Sequence, residues 1–570
     1  MIKEKLQALR QLLQQHNYSG YIIPSNDEYM SEYTPDYAKR LEYITGFTGS
    51  NGIAIILPQT TLFFTDGRYL TQSKQQLDPN LFEVYNIAEL FSFRWDKYVS
   101  QNQVIAFDPK LFNKHYINNL HSLHLIADER NFVDLIWNDQ PARPQSQIFE
   151  YEEKYAGQAF EDKINLCRNL LKEHQSEALL ICDSASICWL LNIRANDVDF
   201  CPILLCHLLI KKSEIYLFTD GQRDISKIHR KVISLFEINE LPQIISNIEG
   251  KILFDDNQTS MFLHNILNRL NSKHITNPCM LWKACKNLVE IEWAKKRHIQ
   301  DAIAVCEALA FIENNDLSTI TEYEIGQLLT DYRKLRDGYI LDSFPSICGY
   351  QDNGAVIHYR ASLKNSKTLS GSGLLLIDSG GHYMGSTTDI TRVVLIGQNK
   401  TEYIEYYTRV LKGHIALASV KFPKNKVIGA HLDVLARKYL WELGEDYAHG
   451  TGHGVGNFLS VHEGPQNISL ALSKIPLMPG MILSNEPGYY KEGQFGIRIE
   501  NLMHVIELSN NILSFETLTL VPYAKNLINF AMLSTDEIAF LKNYYAQIHN
   551  NIAHLLSKQA SLWLDSQLNF

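Results

Sequence analysis

Asp378, Asp389, His453, Glu486 and Glu500 give the C-terminal half of this sequence four carboxylates and one imidazole. Carboxylates gathered without cations repel one another, whereas two divalent ions neutralise four negative charges and use bridging oxygens. The set is rich in oxygen and free of thiolate, which favours Mn²⁺, with Co²⁺ or Zn²⁺ as substitutes in vitro. On paper this is a dinuclear metallohydrolase site, provided the fold brings the five together.

Each position sits in a local pattern of its own. Leu374-Leu375-Leu376-Ile377 is an apolar run ending on Asp378, and Ser379-Gly380-Gly381 follows as a turn before Thr387-Thr388-Asp389-Ile390-Thr391-Arg392. A hairpin would set Asp378 and Asp389 on neighbouring antiparallel strands. A carboxylate closing an apolar run is costly unless paired, protonated or bound to a cation, so these two alone read equally as turn aspartates or as ligands. The glycines of His449-Gly450-Thr451-Gly452-His453-Gly454-Val455-Gly456 forbid a stable helix, so His449 and His453 are not a helical zinc motif, and G-x-G-x-x-G is not satisfied. Glycine there permits close approach of backbone to a ligand or to another strand. With His462 in Val461-His462-Glu463-Gly464-Pro465, the histidines favour a site over isolated core residues. Farther on, Ser484-Asn485-Glu486-Pro487-Gly488-Tyr489-Tyr490 precedes Phe495-Gly496-Ile497-Arg498-Ile499-Glu500-Asn501, where alternation points Arg498 and Glu500 to one side. A surface ion pair is the plainer reading of that strand taken alone. No G-x-S-x-G elbow speaks for a serine hydrolase.

The elements that must position these residues lie in a chain of 570 residues, long enough for three or four domains. An internal resemblance links Gly20–Pro24 through Phe64-Thr65-Asp66-Gly67-Arg68 with Ala178–Cys182 through Phe218-Thr219-Asp220-Gly221-Gln222. An amphipathic helix, Lys3 to Gln15 or Phe160 to Glu173, precedes each, so two related α/β domains in tandem are expected. The prolines of Asp139–Gln147 read as an extended linker, and Asn287 to Asn314 as a long helix opening the third domain. A net charge of -10 gives no general footprint for nucleic acid, and no stretch is apolar enough for a membrane span. Nine cysteines, none among the first 166 residues, make a poor disulfide framework and suit buried thiols in a reducing cytoplasm.

Taken in order, these motifs resemble the pita-bread metallopeptidases in the long, three-domain form of the Xaa-Pro aminopeptidases. Further matches are Phe47-Thr48-Gly49-Ser50-Asn51-Gly52, Asn131–Trp137 and Asn353-Gly354-Ala355-Val356-Ile357-His358-Tyr359. The resemblance implies an α/β (α+β) chain with two creatinase-like domains, 1–145 and 146–285, before a pita-bread catalytic domain, 286–570. It also implies that Asp378 chelates one metal, that Asp389 and Glu500 bridge two, and that His453 and Glu486 complete the other. Glu486 would carry a proton, His449 and His462 would donate hydrogen bonds to the substrate carbonyl or its tetrahedral successor, and His358 would line the proline side. Arg498 would orient Glu500. Tyr359 and Tyr490 could accept the proline ring, and Arg68 could meet substrate or a partner subunit, although a turn with a surface ion pair explains Arg68 as well.

The function so implied is a cytoplasmic aminopeptidase that uses two divalent metals, most simply Mn²⁺, to cut before proline at position 2 of short peptides. A homodimer is expected, with no nucleic-acid or membrane partner. The alternatives are a prolidase, restricted to Xaa-Pro dipeptides, and a catalytically silent peptide-binding module of the same fold. The full ligand set disfavours the silent module, and the tandem N-terminal domains disfavour prolidase, which usually carries one.

Overall fold

The computed structural model describes residues 2–100, 102–221, 223–225, 228, 232–471 and 473–569. They form two compact units, one of Met1–Glu152 with Gln158–Cys279, the other of Glu153–Gly157 with Met280–Phe570.

The first unit holds two six-stranded sheets. One runs in the spatial order Phe82–Asn86, Thr61–Thr65, Ile53–Ile56, Gly20–Pro24, Val104–Phe107, His124–Ala127, and the other Ile233–Glu237, Ile215–Thr219, Cys206–Lys211, Ala178–Ile181, Ile252–Phe254, Ser272–His274. In both, the first strand of the chain pairs antiparallel on one side and parallel on the other. Both sheets thus have one topology, as the tandem α/β reading requires; Gln222, which ends the second sequence motif, lies outside the described residues. The central strands are buried along their whole length because helices cover the sheets. Helix Ile2–Gln15 lays Leu6, Leu9 and Leu13 on the first sheet, and helix Phe160–Glu173 lays Ile164, Cys167 and Leu171 on the second, each at helical spacing.

The segment 139–147 carries no helix or strand, as its prolines dictate, but it is fastened rather than free. Arg143 donates to Glu28 of the first domain at 2.9 Å and to Asp220 of the second at 2.7 Å, and its guanidinium lies over the Tyr37 ring. Arg223 holds the carbonyls of Pro144 and Ser146. Arg68, by contrast, makes a two-pronged ion pair with Asp66 in its own turn, at 2.9 and 2.8 Å. All nine cysteines are free thiols, and all but Cys285 are buried.

In the second unit, helix Leu288–Asn314 starts at Asn287, whose side chain accepts from the Glu290 N–H while Glu290 accepts in return. Beside it lie two sheets. A three-stranded one joins Ile347–Tyr350, Gly373–Ser379 and Ile390–Ile396; a six-stranded one runs Phe422–Pro423, Ile512–Thr517, Asn501–Glu507, Ile482–Asn485, Gly452–Gly454, Glu463–Ile468. A ribbon of Gly488–Lys491 with Phe495–Arg498 completes the wall of the site. The glycine-rich run containing His453 folds as a three-residue strand whose register shifts at His453/Gly454. A Cβ on Gly452 would stand 2.1 Å from the Ser484 carbonyl oxygen, and one on Gly454 2.2 Å from that of Glu463, so glycine is what lets these strands meet.

Helices Thr401–Ala418 and Gly429–Trp441 pack against each other, and a Cβ on Gly413 would lie 2.1 Å from the Ala436 carbonyl oxygen. Gly413→Ala therefore forces the pair apart, and the expected cost is about 1–3 kcal/mol, read as a lower midpoint in thermal unfolding. An unchanged midpoint would show that the helices yield without loss.

Candidate metal centre

Asp378 and Asp389 reach the same space through sheet register. Asp378 stands opposite Thr391 in the antiparallel pair Gly373–Ser379 and Ile390–Ile396, and Asp389, two residues before Thr391, falls on the same face. The residues between them form a small excursion, Gly381–Tyr383 paired with Ser386–Thr387. His453 arrives from the other sheet: its Nε2 is 3.5 Å from Asp389 Oδ2 and 3.6 Å from Glu486 Oε1. Its Nδ1 lies 2.9 Å from the Gly454 carbonyl oxygen, and donation there leaves Nε2 as a lone pair facing the carboxylates. Glu486 follows the strand Ile482–Asn485, its N–H donated to the Thr451 carbonyl at 2.8 Å. Glu500 follows the ribbon and accepts from the Thr391 hydroxyl at 2.8 Å. Ligand atoms of Asp389, His453 and Glu500 all lie within 4.8 Å of one another.

Arg498 differs from the expectation. Its Nη2 donates to Asp378 Oδ2 at 2.6 Å, its Nη1 to the Tyr490 hydroxyl at 2.6 Å and its Nε to the Thr391 hydroxyl at 3.1 Å. It therefore orients Asp378 directly and meets Glu500 only through Thr391, because the ribbon delivers it beside the strand of Asp378. Tyr490 is correspondingly a polar link: its hydroxyl lies 2.8 Å from His449 Nε2, and His449 Nδ1 lies 2.8 Å from the Gly450 carbonyl. Both His449 ring nitrogens thus have partners within the chain. The His462 ring stands edge-on to that of His453, 4.3 Å between centroids. Next to it, Glu463 is buried between Lys283 and Lys286, each ammonium 2.8 Å from a carboxylate oxygen. Burial alone would push that carboxyl up, and the two lysines more than offset it, so it stays ionised and anchors the backbone at His462. Tyr359 does not offer its hydroxyl to the site: it lies 2.8 Å from Glu322 Oε2, with the ring packed among Ile347, Val356 and Leu376.

Three supports have no role that the sequence announces. Thr391 shares its hydroxyl between Arg498 and Glu500. Asp433 and Arg437 on one helix hold the Thr451 hydroxyl at 2.6 Å and the His449 carbonyl at 2.7 Å, and so fix the histidine-bearing loop. Their i, i+4 spacing was readable, but not their target.

Charge decides what this arrangement can hold. Four carboxylates face one guanidinium, and burial followed by repulsion from neighbouring carboxylates pushes the Asp389 and Glu500 carboxyls well above the ordinary range. Oδ1 of Asp378 and Oδ1 of Asp389 are buried with no hydrogen-bond partner. Unpartnered carboxyl oxygens beside an imidazole nitrogen fit divalent cations, and no thiolate competes.

The sequence profiles of known families agree with this geometry. Metallopeptidase family M24 matches residues 292–507 and its C-terminal region residues 511–569, while the creatinase/prolidase N-terminal domain matches twice, at 5–135 and 139–290. The sequence is 36% identical to Xaa-Pro aminopeptidase 1 of Dictyostelium discoideum over 100% of this chain and 96% of that protein. With the Xaa-Pro aminopeptidase ApepP of Drosophila melanogaster it shares 33% over 95% and 93%. Among solved structures, the X-prolyl aminopeptidase of Caenorhabditis elegans, described as a cytosolic enzyme with a di-nuclear active site, superposes with a TM-score of 0.94 at 30% identity over 100% of both chains. The chain belongs to metallopeptidase family M24.

Since the folded, metal-free site holds Asp389 and Glu500 above their unfolded values, its stability contribution is present at low pH and is lost as pH rises through the raised values. Metal-stripped Asp389→Asn is therefore expected to melt above metal-stripped wild type at pH 8, with the gap closing toward about pH 4, the ordinary carboxylate range. Added divalent metal reverses the order. A metal-free wild type that gains stability over Asp389→Asn as pH rises would contradict the charge deficit.

Proposed function

We propose that this protein is a metalloaminopeptidase that hydrolyses the bond between an N-terminal residue and a penultimate proline in short peptides. The observation that carries the reading is the cluster itself: four carboxylates and one oriented imidazole in a buried space with a charge deficit. Asp378, Asp389, His453, Glu486 and Glu500 would hold two divalent ions, Mn²⁺ by the oxygen-rich donor set. Bound there, the pair supplies Lewis acidity and an easily deprotonated water.

The chain's own residues do the rest. Glu486 is 19% exposed at its side chain against 5% for Asp389, and apart from the Ser484 hydroxyl at 3.2 Å its Oε1 is open to the site. It is the carboxylate best placed to take a proton from the attacking water and return it to the leaving nitrogen. His462, whose ring stands edge-on to that of His453, would donate a hydrogen bond to the developing oxyanion, and His449 holds Tyr490 and through it Arg498 and Asp378. His358 would line the proline side, the role that the family resemblance implies for it. A penultimate proline lacks the N–H that ordinary peptidases grip and has a fixed φ, so a site that binds the free amino end and the scissile carbonyl suits it. Similarity over the full length to Xaa-Pro aminopeptidases supports this substrate class, and the relative described as a cytosolic enzyme supports a cytosolic location; a homodimer is what the family resemblance implies. No helix among the described residues is long and apolar enough to cross a membrane.

Hydrolysis of Arg-Pro-Pro and of the dipeptide Ala-Pro with added Mn²⁺ tests the reading. Arginine should be released from the tripeptide, and Asp389→Ala should lower the rate by about 10³-fold or more, the scale of losing a principal electrostatic stabiliser. Cleavage of the dipeptide alone would make the protein a prolidase, and cleavage of neither would leave a binding module.

A further inference from the structure

Glu322 is a fully buried carboxylate that none of the chemistry above uses. It is the first residue of helix Glu322–Lys334, whose N-cap is Thr321, and among the described residues no basic side chain is ion-paired with it. Its charge is met instead by hydrogen bonds from a single stretch of chain. Oε1 accepts from the Tyr350 N–H at 2.6 Å and Oε2 from the Lys367 N–H at 2.7 Å, the Asn353 amide lies 3.0 Å from both oxygens, and the Tyr359 hydroxyl, 2.8 Å from Oε2, shares its one proton between Glu322 and the Asn365 carbonyl at 2.6 Å. The Glu322 N–H itself donates to the Lys367 carbonyl at 2.9 Å. At a helix N-terminus and with this many donors, the oxygens of Glu322 are satisfied without a counter-ion.

The stretch so gathered is the one that carries His358. Between Ala355 and Gly373 the chain runs without helix or extended strand, and apart from an isolated bridge of Thr368 to Thr321 its shape depends on side-chain and turn contacts. Glu322 binds it at Tyr350 and Asn353 before His358, and at Tyr359 and Lys367 after it. Resting on the role given to His358 above, we propose that Glu322 is a positioning residue that sets the backbone of His358 against the substrate. The carboxylate is needed because all its partners are donors. A glutamine in its place would turn an NH₂ toward the Tyr350 or the Lys367 N–H and leave that buried donor unpaired.

A double-mutant cycle on Arg-Pro-Pro hydrolysis separates positioning from bulk stability. Glu322→Gln should lower kcat/KM by about 100-fold, the scale of a slight misplacement in a reacting site, with metal content equal to that of the parent. Introduced beside His358→Ala, the same change should cost less than about 3-fold, because the group it positions is already gone. Equal losses in both backgrounds, or no loss in either, would overturn the proposal. Should Glu322→Gln fail to fold, Tyr359→Phe, which removes one donor and keeps the carboxylate, carries the same comparison with a smaller expected loss. Full turnover in His358→Ala would remove the role of His358 and the proposal with it. Failure of the parent chain to cleave the tripeptide would instead count against the aminopeptidase reading.

Discussion

Four acidic side chains share a largely buried space with a single guanidinium, and that charge deficit organises the catalytic unit. Arg498 is drawn fully into it, with each end of its fork on a different partner. The imidazole of His453 is turned by its Gly454 bond so that its lone pair faces inward. Thr391 divides one hydroxyl between the cationic and anionic sides. Each arrangement is intelligible as a way of keeping anionic oxygens aimed at one point while leaving their charge for a cation to meet.

Bringing His453 to those oxygens requires neighbouring strands of the six-stranded sheet to approach more closely than ordinary side chains allow. The glycines around His453 supply that closeness, since carbonyl oxygens of Ser484 and Glu463 occupy the places where Cβ atoms would stand. Around this junction lies a second layer of buried charge, in which Asp433 with Arg437, and Glu463 with Lys283 and Lys286, are mutually compensated. Compensated pairs fix loops; the uncompensated cluster between them is where chemistry can occur. The contrast between the two layers marks the site more clearly than any single residue does.

Much of this was legible in the sequence. The repeated Phe-Thr-Asp-Gly and its preceding helix foretold two like domains because strand alternation and helical spacing are local properties. The carboxylates could be nominated because an acid closing an apolar run has few stable explanations. What escaped was whatever depended on which strand lies beside which. Alternation placed Arg498 with Glu500, yet the ribbon carries its guanidinium to Asp378. Tyr359 had the composition of a ring-binding pocket, but a buried Glu322 many residues earlier holds its hydroxyl. Residues such as Asp433 and Glu322 belong to no motif, and Thr391, though it lies in the motif of Asp389, shows no role there, since their partners are distant in the chain and ordinary in type.

The paired sheets of the first unit show what a duplicated segment becomes once its copies diverge. In the earlier copy the aspartate of Phe-Thr-Asp-Gly is held at home by Asn51 and Arg68. The later copy has Gln222 where the earlier has Arg68, and its aspartate, Asp220, reaches away to Tyr29 and Arg143. One exchange of arginine for glutamine thus accompanies the conversion of an inward turn into an outward clasp. The two copies have ceased to be interchangeable parts: the first closes upon itself, and the second is the half that does the joining.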